Sequence, residues 1–198
     1  MTADDFESKT KDLLEAHGPT LLELAKQSIR HGLEDRTTLD IDIADYPDDL
    51  GRDGACFVTL KLGGNLRGCI GSPQAHQPLI TDVAENAYSA AFRDPRFSAL
   101  TENEFRDCEL SISVLSPPVP MSFADEADLL AQLRPGIDGL IIEDGGRRAL
   151  FLPAVWRQLP EKQDFLAHLK TKAGMAADHF SPAFKAQRFI AEEIFDTP

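Results

Sequence analysis

The chain has 198 residues, 42% of them hydrophobic and 27% charged, enough apolar material for a packed core without disulfides or metals. Its 33 acidic residues against 20 basic give a formal net charge of −13, which argues against a nucleic-acid partner and against an anionic membrane surface. Residues 1–10 are acidic and polar, unlike a signal peptide, and no apolar run is long enough to span a bilayer. Cys56, Cys69 and Cys108 read as reduced thiols, so the expected location is the cytoplasm.

Two helices are predicted to open the chain, over 5–16 and from Gly18-Pro19 to Gly32, with Pro19 in a favoured first-turn position. Leu21, Leu22, Ala25, Ile29 and Leu33 share one face of the second helix, which therefore packs on a core. Leu39, Ile41 and Ile43 alternate with polar residues and predict an extended segment with one buried face. A loop over 46–54 leads to a strand over 55–62. The Gly63-Gly64 turn then returns the chain as a strand over 66–70, completing a β-hairpin. Residues 78–93 predict a helix stopped by Pro95, with small residues on its inner face. Thr101 and Glu104 have capping-box spacing.

A strand over 108–115 follows, with Leu110, Ile112 and Val114 on one face, and then a short helix over 125–133. A second hairpin joins 139–143 to 148–152 through Asp144-Gly145-Gly146. A helix over 161–172 stops at Gly174, and 185–195 contains a final strand. Consecutive hairpins with helices inserted between them do not build a βαβ sheet. The fold class is therefore α+β: an antiparallel sheet of consecutive hairpins flanked by helices, with a smaller second lobe, in a single domain over 1–198.

Three segments are candidates for chemistry. In Leu66-Arg67-Gly68-Cys69-Ile70-Gly71, Gly68 and Gly71 let the backbone bend or approach a ligand. On a regular strand Arg67 points to the same face as Cys69, and a guanidinium beside a thiol favours the reactive thiolate. The alternative is that Cys69 is a small buried apolar residue and the glycines only shape a hairpin. His76 is the nearest histidine in sequence and reads as an ordinary loop residue. In Phe92-Arg93-Asp94-Pro95-Arg96-Phe97, two arginines around an Asp-Pro turn suit an anion or carboxylate clamp; a local salt bridge of Asp94 is the competing reading. In Pro135-Gly136-Ile137-Asp138-Gly139, Asp138 is either a functional carboxylate or a turn residue, and the turn is the better reading. Trp156 reads as a core anchor rather than a substrate platform.

Other chemistries lack their residues. The sequence has no Cys-x-x-Cys pair for structural zinc, no P-loop, no His-Glu-x-x-His, no Gly-x-Ser-x-Gly and no dinucleotide fingerprint. No metal and no cofactor is predicted.

The order of motifs carries a resemblance. Ala55-Cys56-Phe57-Val58-Thr59-Leu60 precedes Leu66-Arg67-Gly68-Cys69-Ile70-Gly71. Ala90-Ala91-Phe92-Arg93-Asp94-Pro95-Arg96-Phe97, Ser111-Ile112-Ser113-Val114, Gly139-Leu140-Ile141-Ile142-Glu143 and Phe151-Leu152-Pro153 follow, and then the helix ending at Gly174. This resembles the AMMECR domain family, including the A component of the AmmeMemoRadiSam system, most strongly over 54–174. The resemblance implies an α+β fold with a smaller lobe and a cleft lined by the motif residues. It also implies the company of a Memo-like protein and a radical-SAM protein. The chain itself has no Cys-x-x-x-Cys-x-x-Cys cluster for an iron–sulfur centre.

Two functions are therefore expected to compete. In the first, a thiol-dependent enzyme or enzyme component uses Cys69 as its reacting group, Arg67 as the charge partner, and Arg93 or Arg96 to hold an anion. In the second, the same cleft belongs to a non-catalytic module that binds a small-molecule ligand or a partner protein.

Overall fold

The computed structural model describes residues 3–196, with 3–7 as backbone only, so part of the polar N-terminal segment and the last two residues lie outside the description. The chain folds as α+β and divides into two compact units, residues 8–115 with 192–196, and residues 116–191.

A single helix, α1 (Ala3–Asp35), opens the chain where two were expected. Pro19 lies inside it, removing one backbone donor. Leu14, Leu21, Leu24, Ala25 and Ile29 are buried on both sides of that proline, so packing carries the helix across it. Gly32 is not the stop either. It lies at a close crossing, where an added Cβ would collide with the rings of Tyr88 and Phe92. Residues 38–42 are irregular rather than paired: Leu39 and Ile41 pack against the core, while Ile43 starts a short 3-10 turn and is exposed.

The first sheet begins with β1 (Asp53–Leu62) and β2 (Asn65–Gly71), the expected hairpin, and a short strand β3 (Gln77–Pro78) pairs with the start of β1. Then come α2 (Leu79–Phe92), α3 (Glu102–Asp107) and β4 (Cys108–Leu115). Thr101 and Glu104 form the predicted capping box at the start of α3. The core of this unit lies between the sheet and the helices. Cys56, Val58 and Leu60 of β1 and Leu110, Ile112 and Val114 of β4 share the covered face, packed against α1 and α2.

The other unit holds β5 (Val119–Pro120), α4 (Glu126–Gln132), the hairpin β6 (Gly139–Asp144) and β7 (Arg147–Phe151), α5 (Lys162–Lys172) and β8 (Lys185–Phe189), in sheet order β5-β8-β6-β7. Its core stacks Trp156 on Phe165, with centroids 3.7 Å apart, and Trp156 Nε1 donates to the Asp138 carbonyl at 2.7 Å. Asp138 is a buried turn residue whose carboxylate accepts from Arg134 Nη2 at 2.7 Å. The expected final strand is in fact two. After β8, the strand β9 (Ala191–Phe195) leaves that sheet and pairs beside β4, giving the first sheet the order β2-β1-β4-β9.

Candidate functional site

Gly63 and Gly64 take φ of +57° and +77°, the left-handed pair that a two-residue hairpin turn requires, and they set Leu62 opposite Asn65. Continued without interruption, that register would place Cys69 opposite Val58 on the helix-covered face. A β-bulge intervenes. Lys61 pairs with Leu66 and Leu60 with Gly68, which leaves Arg67 as the extra residue. Beyond the bulge Cys69 pairs with Thr59, on the face away from Val58 and Leu60. The expectation that Arg67 and Cys69 share a face is thereby corrected: one inserted residue sends them to opposite sides.

Arg67 is buried on the helix side. Its Nε donates to Glu104 Oε1 at 2.9 Å, and its Nη2 donates to Glu104 Oε2 at 3.1 Å and to the Ser98 carbonyl at 3.0 Å. This two-pronged contact is the main reason the Glu104 carboxyl falls from its ordinary 4.5 to about 2, and Thr101, whose N–H and hydroxyl both donate to the same carboxylate, adds to it. Glu104 thus caps α3 and ties that helix to the bulge. The other groups that bear on Arg67 electrostatically are Cys108 and Asp94.

At Cys69 the edge strand β2 turns its backbone polar groups outward, and the Asp-Pro-Arg turn meets them. Asp94 Oδ2 accepts the Cys69 N–H at 2.9 Å, and Arg96 Nη2 donates to the Cys69 carbonyl at 3.2 Å. Arg96 in turn holds Asp94, through Nε at 2.9 Å and Nη2 at 2.7 Å. The pair stands in for a neighbouring strand, satisfying one donor and one acceptor of the open edge. Asp94 is buried, and the hydrogen bonds from Arg96 hold its carboxyl well below the usual carboxylate range. Arg96 is half-exposed, and its Nη1 has no partner among the described residues.

The Cys69 side chain is half-buried, and its Sγ accepts a hydrogen bond from Thr59 Oγ1 at 3.4 Å. Its two fellow thiols differ. Cys56 is fully buried, and burial followed by the nearby Asp82 pushes its thiol up. Desolvation also raises Cys108, against the pull of Arg67.

Of the residues named from sequence, the structure brings Cys69, Asp94 and Arg96 together. Arg67 is carried to Glu104, and Arg93 is exposed with its guanidinium over the Tyr88 ring at 4.9 Å. Gly68 permits a close approach of α2, since a Cβ there would collide with the Ala90 carbonyl; one at Gly71 would meet the Cys56 carbonyl and Phe57. Thr59 and the Arg67–Glu104 bond were missed. The capping-box spacing marks Glu104 only as a cap, and the bulge that faces Thr59 to Cys69 has no residue signature of its own.

Elsewhere, His179 Nε2 and Ser181 Oγ converge on the same oxygen of Asp144, at 2.7 and 2.6 Å. Both bonds go to the carboxylate, so Ser181 is not handed to His179 as in a hydrolase triad. Among the described residues no group of three or more His, Cys, Asp or Glu side chains is placed to hold a metal ion, and no helix is long and apolar enough to cross a membrane.

The sequence model of the AMMECR1 family matches residues 22–194, wider on both sides than the run of motifs. The chain belongs to the AMMECR1 family. Its AMMECR1 relatives include a protein of Methanothermobacter thermautotrophicus that is 39% identical over 177 residues, 88% of this chain and 92% of the relative. Protein MJ0810 of Methanocaldococcus jannaschii is 38% identical over 162 residues, 78% of each chain. The crystal structure of uncharacterized protein PH0010 from Pyrococcus horikoshii superposes with a TM-score of 0.80 at 30% identity, covering 89% of this chain and 90% of that one. The two proteins share this α+β arrangement.

Proposed function

We propose that this AMMECR1-family protein is a thiol-dependent enzyme, or the thiol-bearing component of one, with Cys69 as the reacting group. The observation that supports this reading is the way Cys69 is held. Its backbone is clamped on both N–H and C=O by Asp94 and Arg96, its side chain is half-buried, and its sulfur receives the Thr59 hydroxyl. A reacting side chain needs such a fixed backbone, because small displacements cost orders of magnitude in rate.

The chemistry that suits the arrangement is addition of Sγ to an electrophilic carbonyl carbon of a small molecule: the S–C bond forms as the C=O π bond opens, and the thiol proton passes to the new alkoxide. The Thr59 hydroxyl supplies a donor at the sulfur. Arg96, with Nη1 open, holds an anionic part of the substrate. Arg67 acts at a distance, as a positioning residue that fixes α3 against the bulge. A Memo-like protein and a radical-SAM protein are the proposed partners, on the family resemblance.

Alkylation by iodoacetamide, resolved for each cysteine by mass spectrometry between pH 6 and 9, tests the reading. Cys69 is expected to react at least about tenfold faster than Cys56 and Cys108 at pH 7, and Arg96→Gln to slow it. If Cys69 is as inert as Cys56, it is a packing residue. The site then belongs to a non-catalytic ligand-binding or adaptor module.

A further inference from the structure

On the helix-covered side of the first sheet, remote from the face that carries Cys69, the C-terminal half of α1, α3 and the start of β4 leave a groove of about 950 Å³. That volume is in the range of sites for small organic ligands. Its floor is apolar. Leu33, Phe105 and Cys108 are half-covered members of the core cluster, and Leu100 and Leu110 lie beneath them.

Its rim runs against the charge of the molecule. In a chain of net charge −13, the groove is lined by Lys26, Arg30, Arg36 and Arg106 against Glu34, Glu102 and Asp196. Most of these cations are already engaged. Lys26 meets Asp196 at 2.6 Å, Arg106 meets Glu102 at 2.6 Å, and Arg30 meets Glu23 at 3.0 Å. Arg36 has no carboxylate partner among the described residues.

Arg36 is also the backbone outlier of the molecule, the non-glycine residue with positive φ among the described residues, at 60°. The position directly follows α1, where glycine or asparagine is the usual choice. Tyr88 fixes it there by donating its hydroxyl to the Arg36 carbonyl at 3.0 Å. An arginine held in a conformation that disfavours it, beside an apolar groove and without a counter-charge, points to an anion supplied from outside.

We propose that this groove binds an amphipathic organic anion, its carboxylate or phosphate head on Arg36 and its apolar body along Leu33, Phe105 and Leu110. The site is separate from Cys69 and stands or falls independently of the thiol reading.

Equilibrium dialysis of the full chain against radiolabelled decanoate, decyl phosphate and decyltrimethylammonium tests it. One molecule of decanoate or decyl phosphate is expected to bind per chain, and the cation not to bind; the tighter of the two anions identifies the head group. Arg36→Asn, which keeps a residue tolerant of positive φ, is expected to weaken anion binding by about tenfold or more with the melting temperature unchanged. Bound decanoate is expected to slow alkylation of Cys108, which lines the groove, and to leave Cys69 unaffected. Failure of both anions to bind, equal binding of the cation, unchanged affinity in Arg36→Asn, or binding without protection of Cys108 would each overturn the proposal.

Discussion

Two carboxylates of the unit that carries Cys69 stay ionised to unusually low pH. Glu104 is depressed to about 2 by Arg67 and Thr101, and Asp94 lies lower still under Arg96. A carboxyl whose folded value is depressed contributes stability that is complete above its ordinary value. That stability is lost as protons bind on the way down to the folded value. For Glu104 the window runs from about 4.5 down to about 2. Urea midpoints measured from pH 5 to pH 2 are therefore expected to fall less steeply in Glu104→Gln than in the parent. Equal slopes would show that the Arg67–Glu104 contact is not formed in solution. At this scale the sequence was only half legible. Asp94 and Arg96 could be named as a pair, but their target could not: they clamp the backbone of Cys69, twenty-five positions away from Asp94 in the chain.

Between elements, the decisive contact is the approach of α2 to β2 at Gly68. The Ala90 carbonyl occupies the space a side chain would need, and that carbonyl is helix backbone and cannot swing aside. Gly68→Ala is expected to destabilise the protein by about 1–3 kcal/mol, the usual cost of overpacking a tight contact. Thermal melting read by circular dichroism would show it; an unchanged midpoint would mean the two elements are further apart than described. Most elements were legible from periodicity and punctuation: the Gly63-Gly64 hairpin, the capping box at Thr101, the alternation of Leu110, Ile112 and Val114, and Gly174 after α5. The opening helix was not, because Pro19 and Gly32 are local breakers. Burial of Leu14, Leu21 and Ile29 on either side of Pro19 outweighs one missing hydrogen bond, and Gly32 serves a helix crossing instead of a stop.

Across the whole molecule, the last strands join two separate sheets. β8 lies between β5 and β6 in the sheet of residues 116–191, and one residue later β9 pairs beside β4. There Asp196 meets Lys26 at 2.6 Å, and Glu193 accepts from Ser111 at 2.9 Å. Ile194 packs against the core, 3.4 Å from where a Cβ on Gly18 would stand. Deleting residues 191–198 would leave β4 as an open edge and withdraw Ile194. The expected loss is roughly 2–4 kcal/mol, together with association visible by size-exclusion chromatography. A truncated chain that melts like the parent and stays monodisperse would refute this role for β9.

Alone, the sequence determined the α+β class, most of the strands and helices, the family and the candidate thiol. Those properties depend on hydrophobic period, turn residues and motif order, which are local along the chain. Tertiary structure decided the rest. Whether Cys69 faces the helix-covered core or the opposite side of the sheet depends on one unpaired residue in a hairpin. Bulges are fixed by what the strand meets on each side, here Glu104 behind Arg67 and Asp94 beside Cys69. The groove beside Arg36 is likewise invisible in one dimension, since it is the space left between elements that are far apart in the chain.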